Sequence, residues 1–181
     1  MLILILISTT FGQDCFTCCS SLPYRPSMEF KYYQNTGRFV GGSGKYAINT
    51  YGYSGNNTDG VNGRNNPSAQ CVSNTGPAPA NMYVLGNCSD TMHGGTVQRP
   101  CSFPMNPQFE KAMCGRFGMW VHGCNSCSTE YPDCDYTAPP CGTCSEGCVV
   151  IMRSARQLLR TGDILFVEKY DPEFIIKSRL V

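Results

Sequence analysis

The sequence predicts a mainly β fold of sandwich or barrel type, with one or two short helices and disulfide-rich loops. Three observations carry this reading. Only 15% of the 181 residues are charged, whereas glycine (19) and tyrosine (10) are abundant, a balance that suits short strands and turns better than a helical bundle. Apolar and polar residues alternate over short stretches bounded by Gly, Pro and Asn. Thirteen cysteines fit an oxidising compartment, where bridges staple loops to a small core.

Residues 1–12 read as a secretory signal peptide. Leu2 to Ile7 form a short apolar run, and Thr10 and Gly12 place small residues at the −3 and −1 positions. The run is too short to span a bilayer and no later segment does so, so an exported, extracellular protein without a membrane span is expected. Residues 13–27 form a cysteine-rich N-terminal segment with Cys15, Cys18 and Cys19. One domain is expected over 28–170, followed by a C-terminal tail, 171–181, that carries no assignable pattern.

Within the domain, Met28 to Tyr32 alternates as a strand, Asn35-Thr36-Gly37 turns, and Arg38 to Val40 returns as a hairpin. Lys45 to Tyr53 is a further strand, with Tyr46, Ile48 and Thr50 on one face. Gly55 to Pro67 is a polar loop, and Met82 to Leu85 a short strand. Asn87 to Cys114, rich in proline and cysteine and without periodicity, reads as loops over the core. Phe117 to Val121 is a central strand running into His122, and Cys148 to Met152 a second buried run. Ser154 to Leu159 forms a helix with Arg156 exposed and Leu158 and Leu159 inward. Thr161-Gly162-Asp163 then turns the chain into a last strand, Ile164 to Val167.

A net charge of +1 gives no reason to expect a nucleic-acid partner. Two sequons, Asn56-Asn57-Thr58 and Asn87-Cys88-Ser89, are acceptors only in a eukaryotic secretory pathway. The chemistry concentrates in two short pieces, Val121-His122-Gly123 and Ser145-Glu146-Gly147-Cys148. A thiol needs a base to become a strong nucleophile near neutral pH, and imidazole is suited to the task. The cysteine count is odd, so at least one thiol has no partner in the chain. A free Cys148 leaves twelve for six bridges. Cys124-X-X-Cys127 and Cys141-X-X-Cys144 also have zinc-ribbon spacing, but in an exported chain crowded with cysteine, disulfides are favoured. No catalytic metal or cofactor is expected. Oligomeric state is not legible in the sequence.

The order of these pieces resembles the L,D-transpeptidase (YkuD-like) catalytic domain, in which a strand ending in His-Gly supplies the base and Ser-X-Gly-Cys the nucleophile. The upstream half is similar to one branch of that family, which contains peptidoglycan-targeting effectors of the type VI secretion system. It carries Thr36-Gly37, Gly52-Tyr53-Ser54-Gly55, Asn65-Asn66-Pro67, Gly76-Pro77-Ala78-Pro79 and Tyr83 in that branch's order. Glu146 stands where most of the family has His, Val150 where it has Arg, and the 26 positions from His122 to Cys148 exceed the usual gap.

The resemblance implies a Cys148 nucleophile and a His122 base, with the Gly123 carbonyl orienting the imidazole. Main-chain N–H groups of Gly147 and Cys148 would bind the oxyanion, with Ser145 in support. It also implies a peptidoglycan stem peptide as partner, its terminal D-amino acid cleaved or exchanged in an antibacterial role. Ser145 and Arg156 are candidates to position substrate carboxylates, with surface and capping roles as the alternative. The competing reading is a catalytically inactive, cysteine-rich cell-wall binder on the same scaffold.

Overall fold

The computed structural model describes residues 18–58, 60–92, 98–124 and 144–178. The expected signal peptide lies outside these residues, as do Cys15, Cys127, Cys134 and Cys141.

The fold is mainly β. Strands β1 (Glu29–Tyr33), β2 (Arg38–Gly41), β3 (Ile48–Tyr51) and β4 (Tyr53–Ser54) are followed by a small hairpin of β5 (Asn57–Thr58) and β6 (Val61–Asn62). Next come β7 (Asn81–Leu85), β8 (Ser89–Thr91), β9 (Gln98–Pro107), β10 (Trp120–His122), β11 (Val149–Val150), helix α1 (Arg153–Arg156), β12 (Ile164–Glu168) and helix α2 (Pro172–Ser178). Ten strands form one sheet in the order β3-β2-β1-β12-β7-β9-β10-β11-β4, with β8 alongside β9. Its two edge strands, β3 and β4, are separated in sequence only by Gly52, so the sheet curls into a nearly closed barrel. A Cβ at Gly52 would stand 2.1 Å from the Val150 carbonyl oxygen, and the Gly52 N–H donates to the Gly37 oxygen at 2.8 Å. Only glycine fits where the barrel comes together.

The strands form where alternation and turn chemistry agree. In β1 the pattern of exposed Glu29 and Lys31 against buried Phe30 and Tyr32 sets the register. Gly37, at φ +71°, turns the chain into antiparallel pairing with β2. β1 also runs parallel to β12, Phe30 opposite Leu165. Phe30, Tyr32, Phe39, Tyr83, Phe103 and Leu165 are fully buried in the barrel core. Burying such side chains contributes about 1.5–3 kcal/mol each.

Several expectations change. The run 45–53 is a short 3-10 turn followed by β3 and β4, broken at Gly52, the strand before His122 begins at Trp120 with Phe117 exposed, and the helix expected over 154–159 is Arg153–Arg156. The stretch 87–114, read as loops, contains the longest strand, β9. It pairs with β7 on one edge (Leu85 opposite Met105) and with β10 on the other (Val121 opposite Phe103). Pro100, Pro104 and Pro107 hide it, because proline removes a ladder donor and breaks the alternation used to recognise strands. The loop 55–67 contains the β5–β6 hairpin. Residues 172–178 are helical. Arg156, expected on the solvent side of a helix, is buried in α1, which has four residues and lies against β9.

Disulfides join Cys18–Cys101, Cys19–Cys88, Cys71–Cys114 and Cys124–Cys144. The first two fix the N-terminal segment to β8 and β9. The Asp90 carboxylate reinforces this by accepting from the N–H groups of Cys18, Cys19 and Cys101. The Cys124–Cys144 bridge uses two of the four sulfurs of the alternative zinc ribbon, and the other two, of Cys127 and Cys141, lie outside the described residues. Arg25 is held against the turn before β12 by a fully buried, two-pronged ion pair with Asp163 at 2.6 and 2.7 Å. Among the described residues no helix is long and apolar enough to cross a membrane.

Candidate active site

β10 and β11 are parallel neighbours, with His122 opposite Val150. Side chains alternate along a strand, so Cys148, two residues before Val150, shares the face of His122. Both side chains line one cavity of about 450 Å³, walled by Ser73, Asn74, Met92, Arg99, the 115–119 strap, Cys144, Glu146 and Gly147. Among the described residues Cys148 is the one free cysteine; it is half-buried.

The turn that presents Cys148 is tightly specified. The Ser145 hydroxyl is buried, donates to the Cys148 carbonyl at 2.6 Å, and accepts from the N–H groups of Gly147 and Gly55 at 3.1 Å each. Ser145 therefore shapes the nucleophile turn. Its acceptance of the Gly147 N–H also engages one of the two donors expected for an oxyanion. Ser54 closes the other side, donating to the Gly147 carbonyl at 2.9 Å and accepting the Ala78 N–H at 2.8 Å. Asn65 accepts from the Ser54 N–H at 2.9 Å and from the Tyr32 hydroxyl at 2.7 Å. Three motifs scattered over the upstream half, around Ser54, Asn65 and Ala78, thus meet behind one turn.

Gly147 has φ +143°, and a Cβ there would fall 2.0 Å from Arg116 Nη2. Arg116 was not singled out in the sequence. Its guanidinium donates to four carbonyls, those of Gln70, Pro77, Gly76 and Glu146, at 2.6–2.9 Å. It ties the nucleophile turn to the loop carrying the Cys71–Cys114 bridge. Burial lowers the Arg116 pKa, and the Cys148 sulfur works against that shift. The signal available in sequence was an arginine between glycines, Gly115-Arg116-Phe117-Gly118, next to a disulfide cysteine.

His122 is buried at the end of β10, with Nδ1 2.6 Å from the Gly123 carbonyl oxygen. A proton on Nδ1 donates to that oxygen and leaves the Nε2 lone pair to act as a base. Arg156 lies beneath Gly123, where a Cβ would meet the guanidinium at 2.6 Å. Its Nη2 donates to the Pro100 carbonyl at 3.1 Å and its Nη1 to that of Ile151. Arg156 is 4% exposed and stands outside the cavity lining, so its place is under the strand end that carries His122. Arg99, also missed from the sequence because β9 was read as loop, does line the cavity. Its Nη1 lies 3.0 Å from His122 Nδ1.

Burial pushes the Cys148 thiol up to about 11. The Trp120 N–H, Arg99 and Arg116 act in the opposite sense without overcoming it, and Glu146 adds to the rise. At pH 8 about one such thiol in a thousand is ionised. The resting site holds a protonated thiol, so any nucleophilic role for this sulfur requires a base to take its proton. Alkylation of Cys148 by iodoacetamide in the unreduced protein is expected to rise about tenfold per pH unit from pH 7 to 10. A plateau at or below pH 8.5 would contradict the buried-thiol description.

The Tlde1 domain model matches residues 49–169, more than half of the chain. This is a peptidoglycan-targeting family associated with type VI effectors and related to the L,D-transpeptidase fold. β1 and β2 precede the matched span but pair with β12 and β3 inside it. No curated protein matches the chain.

Proposed function

The chain belongs to the Tlde1 domain family, and on that premise we propose that it is an exported cysteine-nucleophile enzyme of L,D-transpeptidase type, acting on peptidoglycan stem peptides and directed against bacteria. The observation that carries this reading is the placement of a free thiol, Cys148, and a buried imidazole, His122, on one face of adjacent strands in one cavity. The four disulfides fit an extracellular or periplasmic setting.

The proposed reaction runs in two halves. Sγ of Cys148 attacks the carbonyl carbon of the third stem residue while Nε2 of His122 takes the thiol proton. The Cys148 N–H, at the end of the turn, is the proposed main-chain donor to the oxyanion, the Gly147 N–H being held by Ser145. The tetrahedral species collapses, the C–N bond breaks, and His122 returns its proton to the departing D-amino acid. The resulting thioester is then opened by water, giving a shortened stem peptide, or by the amine of another D-amino acid, giving exchange.

Incubation with purified disaccharide-tetrapeptide, read by mass spectrometry, tests this. Loss of the terminal D-alanine, or its replacement by a supplied D-amino acid, is expected with the native chain and not with Cys148→Ala. The raised thiol pKa favours a second reading, an inactive cell-wall binder on the same scaffold. Absence of turnover with D-amino acids present, together with retention on purified sacculi, would establish it.

A further inference from the structure

The cavity holds two guanidinium groups that differ in what they touch. Arg116 spends its donors on four main-chain carbonyls. Arg99 is half-buried, and its Nη1 reaches Met92 Sδ at 3.4 Å and His122 Nδ1 at 3.0 Å. Among the described residues it forms no ion pair with a carboxylate. Glu146 is the one carboxylate in the described lining, against these two cations.

The contact with His122 is chemically exclusive. Nδ1 stands 2.6 Å from the Gly123 oxygen and 3.0 Å from Arg99 Nη1, and a ring nitrogen carries either a proton or a lone pair. With the proton it donates to Gly123 and confronts a second donor in Arg99. With the lone pair it accepts from Arg99 and confronts the Gly123 oxygen. Arg99 in this position therefore favours the tautomer with its proton on Nε2, which cannot take a proton from a thiol.

We propose that Arg99 reads the terminal carboxylate of the substrate, and that this engagement draws the guanidinium off His122 and leaves the imidazole in its basic tautomer. The inference rests on the nucleophile–base reading of Cys148 and His122. The carboxylate of a leaving C-terminal residue lies one Cα beyond the scissile nitrogen. A group that grips it must come within a few Å of the imidazole that protonates that nitrogen; Arg99 lines the same cavity and touches the ring at Nδ1, from which it has to swing toward the Nε2 side. Planar two-pronged donation suits guanidinium to a carboxylate. The consequence is a preference, set by Arg99, for a leaving residue whose carboxylate is free over one whose carboxylate is amidated.

The test compares two disaccharide-tetrapeptides, one ending in a free carboxylate and one in a carboxamide, with the full chain and with Arg99→Lys and Arg99→Gln. The native chain is expected to favour the acid by roughly 10- to 100-fold in kcat/KM, the range for a hydrogen bond to a charged group. Arg99→Lys retains charge without the fork and should show an intermediate preference. Arg99→Gln should lose the preference, and added guanidinium ion should restore part of it. A merely structural arginine would alter both substrates alike and leave their ratio unchanged. Equal turnover of acid and amide by the native chain, or a preference that survives in Arg99→Gln, would overturn the role of Arg99. Equal turnover by the native chain overturns the role of Arg99 even where a variant fails to fold. Turnover of neither peptide would overturn the nucleophile assignment beneath it.

Discussion

Replacing Cys148 by alanine is expected to lower turnover of a disaccharide-tetrapeptide by at least about 10⁴-fold, with little change in thermal stability. In the proposed reaction the sulfur forms the thioester, and the hydroxyl nearest in sequence is held elsewhere. Ser145, the nearest by sequence, is committed to the Cys148 carbonyl and two N–H groups. Half-burial at the cavity and the absence of a bridge to Cys148 mean that its loss leaves the described disulfides intact. His122→Gln is expected to cost about 10²–10⁴-fold, the usual contribution of a positioned general base. The double variant should be scarcely worse than Cys148→Ala, because residues acting as one unit do not add. The thiol's elevated pKa makes the dependence on His122 stronger than it would be for a site with a preformed thiolate. Kinetics of the three variants on one substrate, with melting temperatures alongside, check all of this. His122→Gln retaining native turnover would remove the imidazole from the mechanism.

Gly147→Ala is expected to damage both stability and activity. The backbone there adopts φ +143°, which residues with a Cβ rarely occupy, and the added carbon would collide with Arg116 Nη2. Relief requires either the turn or the guanidinium to move. Movement of Arg116 gives up hydrogen bonds to four carbonyls that lock the turn to the loops of Gln70 and Gly76. A loss of roughly 2–4 kcal/mol in stability is expected from strain and broken charged hydrogen bonds together. Activity should fall by at least about 100-fold even in the folded fraction, since a displacement near 1 Å at the nucleophile is enough. Denaturant unfolding and single-turnover rates separate the two effects. Native stability in Gly147→Ala would show that Arg116 does not hold the turn as described.

The sequence made the barrel's regular parts legible because two independent signals coincided there. Around β1 and β2, alternation agreed with a glycine at a positive-φ turn, and before β12 the Thr161-Gly162-Asp163 turn agreed with a run of aliphatics. β9 failed because its ladder partners change along its length and three prolines interrupt it, so no local pattern survives. His122 and Cys148 were legible as motif residues, and the sheet register explains why they share a face. The upstream motifs were visible but their purpose was not. Ser54 bonds a turn 93 residues away, and Asn65 and Ala78 act on that turn only through their hydrogen bonds to Ser54. Arg99, Arg116 and Arg156 were missed or misplaced for one physical reason. Among the described residues each donates to main-chain carbonyls, a ring nitrogen or sulfur, so no charge pattern marks it.

The most direct measurement is the intact mass of the unreduced protein, quenched in acid milliseconds to seconds after mixing with disaccharide-tetrapeptide, followed by mapping of the adduct. The mass expected is that of the protein carrying the disaccharide-tripeptide acyl group, on Cys148 and absent from Cys148→Ala. An adduct on another residue, or Cys148 recovered in a disulfide, would contradict the central assignment.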